Sequence, residues 1–328
     1  NVHREGVVRN RPLEITGGIR VDGVEVGSRT LSSDPSTGPR YEINGTRMVV
    51  YPGGPILPGE QIELTVDYRF EVPHQGQGGR MGRSRGNLYY VGYWYPHVAA
   101  YDDVSGWEPD HFKGEAEFYT DFADYTMTVS APEEWLILGT GTLQNPEDVL
   151  VEEVRNRLDR VPQTDEVVSV VGEDLLEAGP TRSSSDGTLT WEFEADRVRD
   201  VAFSATTSSS WDAVRAPVGD RDGDGTTDYT RVDALYRSTA PLWTETADHG
   251  RHAIEFHSNR LGIPYPWPHM TIVEGGGIIG GGMEYPMMTL IGDYRSSTDT
   301  ALYAVTSHEL SHMWIPMIVN TDERRFAW

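Results

Sequence analysis

The sequence predicts an α+β protein: a β-rich N-terminal domain over 1–200, then a second domain over 201–328 in which strands and helices surround a site. Three observations predict it. Segments 61–72, 125–131 and 189–195 alternate apolar and polar residues, the period of a strand with one covered face. Helical spacing appears only after about residue 200. The last helical segment carries HELSH, residues 308–312, a pattern suited to a metal.

A chain of 328 residues exceeds one ordinary core and predicts two domains. No run of eighteen apolar residues exists, so no membrane-spanning helix is expected. There is no cysteine, so any metal site must use His, Asp or Glu. A net charge of −24 argues against a nucleic-acid partner. Lys113 is the sole lysine among 27 basic residues. The acidity reads either as a field that attracts cationic substrates or as a solubility adaptation, the second being favoured. The chain starts Asn-Val-His, with no apolar leader, so a processed or trimmed start is expected. The compartment is not fixed; periplasmic or extracellular export is favoured over the cytoplasm.

In QIELTVDYRFEV (61–72), Ile62, Leu64, Val66, Tyr68 and Phe70 alternate with polar residues. YTMTVSA (125–131) and LTWEFEA (189–195) repeat the pattern between turn residues. The Gly/Arg stretch 74–86 is not placed between a strand and a helix, as a phosphate loop requires, and reads as a mobile surface loop. A short helix is expected from Asn145-Pro146 through EDVLVEEVRNRL, with Asn as cap and Pro in the first turn.

In the second part, 230–237 and 269–275 read as strands. Between them Pro241 opens a helix on which Trp243, Ala247, Gly250, Ile254, His257 and Leu261 recur at helical steps, stopped by Gly262. His249, His252 and His257 read as packing or surface residues. The final helix is capped by Thr298 or Asp299 and ended by Pro316, placing the HELSH motif mid-helix behind Ala301, Ala304 and Val305.

Residues four apart on a helix stand one above the other, about 5–6 Å apart at Cβ. His308 and His312 can therefore hold one zinc ion. Glu309 projects to the side of that ion, where its carboxylate can take a proton from a water and pass it to a leaving amine. The bland alternative is a satisfied pair of core histidines. GGGMEYP (280–286) leaves a bare backbone edge to which a peptide could add as a strand, with Glu284 beside it for a terminal ammonium. Alone, this segment would read as a glycine-rich turn. DRDGDGTTD (220–228) places Asp220, Asp222, Asp224 and Asp228 as in a calcium loop. Arg231 stands where its bidentate Glu should be, and an acidic hairpin turn is the favoured reading.

GGMEY followed by HELSH resembles the zinc aminopeptidases of the aminopeptidase N and leukotriene A4 hydrolase type, which carry G-x-M-E-N and then HExxH. The 24 positions from Glu284 to His308, and Trp314 after the second histidine, fit that family. The resemblance implies an N-terminal β-sheet saddle or sandwich followed by a thermolysin-like catalytic domain, incomplete here. It implies His308 and His312 as zinc ligands and Glu309 as general base. It implies Glu284 as anchor of the substrate's α-amino group, with Gly281, Gly282 and Met283 along the substrate. Tyr285 stands where the family has Asn, and Pro316-Met317 replace Gly-Asn. Its Gln or Glu for the amino group in the first domain has no clear match in 93–103. The implied third zinc ligand is a Glu at position 331, so the remainder of a longer polypeptide is expected to complete the site, and these residues alone to be inactive. The expected activity is removal of N-terminal residues from peptides. The alternatives are a zinc hydrolase of the same fold with another substrate, such as an endopeptidase or epoxide hydrolase-like enzyme, or a non-catalytic peptide-binding relative.

Overall fold

Leu189, Trp191, Phe193 and Ala195 are buried along one face of the strand Thr188–Val198, as their alternation predicts. Its antiparallel partner Ala123–Pro132 contains the second predicted strand. The structure, a computed structural model, describes residues 16–74, 80–85, 87–112 and 118–325. It is mostly β-strand with few helices. Lys113 lies outside the described residues.

The chain divides into two units. The described residues of the first fall in 16–73, 95–121 and 322–325. Arg20–Val26 pairs antiparallel with Leu64–Arg69 and with Arg29–Thr30, and Arg40–Asn44 pairs with Arg47–Tyr51. The predicted strand 61–72 is shortened to Leu64–Arg69, and its expected covered face is poor. Ile62 and Leu64 are exposed, and Val66, Tyr68 and Phe70 are only half-buried. Alternation sets which way side chains point; what covers them is supplied by other segments.

The described residues of the second unit fall in 74–94 and 122–321 and form three sheets. One has Thr188–Val198 between Ala123–Pro132 and Thr142–Leu143. A second runs Leu136–Gly139, Phe203–Thr206, Leu88–Val91, Gly82–Ser84, all antiparallel. The third, which positions the site, has six strands in the order Val168–Val171, Ser209–Gly219, Asp228–Arg237, His269–Glu274, Met288–Ile291, Gly282–Tyr285. Asp228–Arg237, His269–Glu274 and Met288–Ile291 run parallel, and Gly282–Tyr285 returns antiparallel as the edge. Val232, Ala234, Leu235, Ile272, Val273 and Leu290 are fully buried, the apolar runs expected of strands covered on both faces.

The structure departs from two expectations. The Gly/Arg stretch is not wholly a surface loop: Gly82–Ser84 is a strand with Gly82 and Ser84 buried, while 75–79 and 86 lie outside the described residues. The helix expected from Asn145 is two short ones, Pro146–Val149 and Glu152–Leu158. Leu150 between them is extended and bridges Thr181, and Asn145 bonds the strand at Thr190 and Glu192 instead of capping the helix. Tertiary pairing has overridden local propensity there.

Pro241 opens a 3₁₀ turn, Pro241–Glu245, that leads into the helix Thr246–Leu261. Gly262 closes that helix in the left-handed conformation at φ 66°.

Candidate active site

The last helix spans Asp299–Ser311, and the Thr298 side chain accepts from the Ala301 N–H at its start. Its buried stripe is Leu302, Thr306, Glu309 and Leu310. The expectation of a mid-helix motif behind Ala301, Ala304 and Val305 is corrected: His312 is the C-cap, so the motif fills the final turn, and Ala304 is exposed. His308 faces outward, and the glutamate between the histidines is the buried member at 4% exposure.

The two imidazoles converge. His312 Nδ1 lies 3.2 Å from the carbonyl oxygen of Ile315, which can only accept, so this contact needs the proton on Nδ1 and leaves Nε2 turned towards His308. That Nε2 lies 3.3 Å from Nε2 of His308. Two nitrogens bound at 2.0–2.1 Å to one tetrahedral ion stand about 3.3 Å apart, so the separation of the pair is compatible with a shared zinc. Burial, and then the facing His312, hold the His308 imidazole below its usual value, which favours the neutral form a metal needs.

The edge strand Gly282–Tyr285 packs against this helix. A Cβ on Gly282 would overlap the Glu309 carboxylate where it lies, so an alanine there would have to displace it. Glu284, two residues on and therefore on the same strand face, is 7% exposed. Its Oε1 lies 3.9 Å from His312 Nδ1, and one ligand atom each from Glu284, Glu309 and His312 lie within 4.8 Å of one another. Gly281 is open, with nothing within 4 Å of where its Cβ would stand. Met283 turns to the opposite face, where its sulfur accepts from Arg80 at 3.2 Å.

Tyr285 shares that opposite face. It is fully buried, its ring 5.2 Å from Tyr90 and 5.0 Å from Tyr93, and its hydroxyl donates to the Arg80 carbonyl. Burial raises the Tyr285 phenol far above its usual value. Tyr90, Tyr93 and Tyr294 escaped sequence reasoning. Each phenol is raised first by burial; Glu309 adds to the rise at Tyr90 and Tyr294, and Glu284 at Tyr90 and Tyr93, so all three lie within electrostatic reach of the site. Tyr93 and Tyr294 also hold positive φ, 51° and 49°, which side chains seldom adopt; the sequence carries no signal of this.

His249, His252 and His257 bridge to the helix Asp299–Ser311, His252 from an exposed position. His249 Nε2 lies 3.3 Å from Asp299, His252 Nδ1 lies 2.7 Å from the Tyr303 hydroxyl, and His257 Nε2 lies 3.1 Å from the Ser307 carbonyl. In the acidic hairpin, Asp220, Asp222 and Asp224 come within 4.8 Å of one another, but Asp228 instead accepts from the Arg221 N–H. Asp220 accepts from the N–H groups of Gly223 and Gly225, and Asp224 from that of Thr226, the bonds of a self-capped turn.

No protein-family model and no curated protein matches the sequence. Solved structures do match. Aminopeptidase A of Legionella pneumophila in complex with aspartic acid superposes with TM-score 0.56 at 12% identity, over 91% of this chain and 29% of that one. The M1 zinc metallopeptidase of Deinococcus radiodurans gives TM-score 0.51 at 16% identity, over 92% and 56%. A mutant two-domain M1 zinc metallopeptidase bound to L-tryptophan gives 0.52 at 16%, over the same shares, 92% and 56%. Over the part of these structures that it spans, the chain shares their fold. It spans 29% to 56% of the length of these structures. The M1 fold agrees with the resemblance drawn from GGMEY and HELSH.

Proposed function

We propose that this chain carries the metal-binding helix and the amine-anchoring carboxylate of an M1-type zinc aminopeptidase, which removes N-terminal residues from peptides. One observation carries the reading: the His308 and His312 Nε2 atoms meet at 3.3 Å on the helix whose Glu309 lies against the edge strand bearing Glu284. A chance HExxH gives no reason for that strand to be bare of a side chain where Glu309 meets it. The peptidase kind of the structural neighbours supports the same chemistry.

His308 and His312 would hold the zinc, and the carboxylate expected at position 331 would be the third donor. The chain spans 29% to 56% of the structures it matches, so the activity is proposed for a protein carrying the whole of that fold, with a thermolysin-like arrangement of its catalytic part. Zinc bound there would bring the pKa of a water towards about 7 and polarise the scissile carbonyl. Glu309 takes the proton at a carboxylate oxygen and delivers it to the leaving amide nitrogen. The substrate's backbone adds to the open edge at Gly281 and Gly282, and its α-ammonium pairs with Glu284. A neighbouring cationic end and a carboxylate held by a strand select exopeptidase over endopeptidase cleavage.

The test is hydrolysis of chromogenic aminoacyl amides and of the same peptides after N-acetylation, with and without a chelator. The reading requires cleavage of free-amine substrates alone, abolished by the chelator and restored by zinc. Equal cleavage of acetylated peptides would replace it with an endopeptidase, and no cleavage of either with a non-catalytic relative.

A further inference from the structure

Arg237 and Glu274 are the last residues of neighbouring parallel strands, and both side chains are almost wholly buried, 5% and 0% exposed. Arg237 Nε donates to Glu274 Oε2 at 2.6 Å and Nη2 to Oε1 at 2.9 Å, a two-pronged pair. Two further bonds of this pair go to one glycine. Arg237 Nη2 donates to the Gly276 carbonyl at 2.7 Å, and the Gly276 N–H donates to Glu274 Oε1 at 2.7 Å. Ser84 Oγ donates to the same carbonyl at 2.7 Å while accepting from Arg237 Nη1 at 3.1 Å. Gly276 is thus held at both backbone groups, and a Cβ there would strike Glu274 and Asp293.

The chain leaving this grip becomes the substrate edge. Gly275 N–H bonds the Ile291 carbonyl at 2.6 Å, and the Gly292 N–H bonds the Gly281 carbonyl at 2.8 Å. The run 275–281 is therefore pinned at its two ends, with open backbone at Gly280 and Gly281 beside Glu284. For stability alone, a buried ion pair gains little over apolar residues of equal volume. What apolar residues could not do is hold a peptide N–H and a carbonyl at a fixed place.

We propose that Arg237, Glu274 and Ser84 are positioning residues that set the glycine edge, and hence Glu284, at the spacing an N-terminal residue of a peptide requires. This rests on the aminopeptidase reading above. None of the three touches substrate; they act through Gly276 on the edge that does.

The test uses the complete gene product and its double variant R237M/E274M, which removes both charges together and leaves neither buried alone. Zinc content, melting, steady-state kinetics on an aminoacyl amide and amide hydrogen exchange are measured. The expected variant folds, keeps one zinc, and shows a KM raised about tenfold with kcat changed less than about threefold. Exchange over 275–282 is faster in substrate-free protein. A folded, zinc-loaded variant with KM and exchange like the parent's overturns the proposal. Should the double variant not fold, Ser84→Ala decides: it keeps the ion pair, and KM is expected to rise about threefold with faster exchange at 276–282. Parental KM and exchange in Ser84→Ala would then overturn the proposal. A parent without any hydrolysis would sink the aminopeptidase reading instead, and the exchange comparison would still report whether the pair holds the turn.

Discussion

The carboxylate of Glu309 lies against the bare Cα of Gly282, closer than any Cβ could allow. Glu309, the proposed base, and the edge strand are thereby fixed to each other, one on a helix and one on a strand. Gly282→Ala must push Glu309 aside or bend the edge. A misplacement of about 1 Å at a reacting group costs about 10²-fold in rate. We expect Gly282→Ala to lower kcat by about that factor with zinc content unchanged, read by steady-state kinetics and metal analysis. A variant with parental kcat would show that the contact does not position the base.

Tyr285 occupies the place of the resembling family's Asn, which suggests from sequence a change of specificity. The structure assigns it a packing role, buried among Tyr90 and Tyr93 on the face away from Glu284. Tyr285→Asn should destabilise the protein by about 3–5 kcal/mol, the range for removing a buried aromatic. Tyr285→Phe should cost about 1–2 kcal/mol for the lost bond to the Arg80 carbonyl. Both are read by denaturant melts. A stable Tyr285→Asn protein with altered substrate preference would reverse the assignment.

The site was legible in the sequence where one element carries it. His308 and His312 are four apart on one helix, so spacing alone brings them together. Leu189 to Ala195 alternate and are buried as read. Ile62 and Leu64 alternate equally well yet lie exposed, because a period states direction and not cover. The helix expected after Asn145 broke at Leu150, whose partner Thr181 is distant in sequence. Likewise the tyrosine stack on Tyr285 and the grip on Gly276 join residues some two hundred positions apart, and no local pattern marks such pairings.

His269 gives a pH dependence. Its ring is buried, with Nε2 2.8 Å from the Gly141 carbonyl, and burial, then Arg231, lower its pKa to about 4 from an ordinary 6.5. The unfolded chain therefore binds this proton at higher pH than the folded one. Stability from this group is whole above about 6.5 and falls as pH drops towards about 4, by about 3 kcal/mol in total. His269→Gln should flatten that slope in urea melts taken between those two pH values. An equal slope in the variant would place the dependence elsewhere.

We propose that His308 and His312 hold a catalytic zinc and that Glu309 is the base beside it. Metal content and aminoacyl-amide turnover of the complete gene product, measured side by side for E309Q, H308A and H312A, test it most directly. One zinc and a loss of about 10³-fold in kcat are expected for E309Q, and loss of both zinc and activity for each histidine variant. Turnover by E309Q within about tenfold of the parent, or a full equivalent of zinc in H308A, would contradict it.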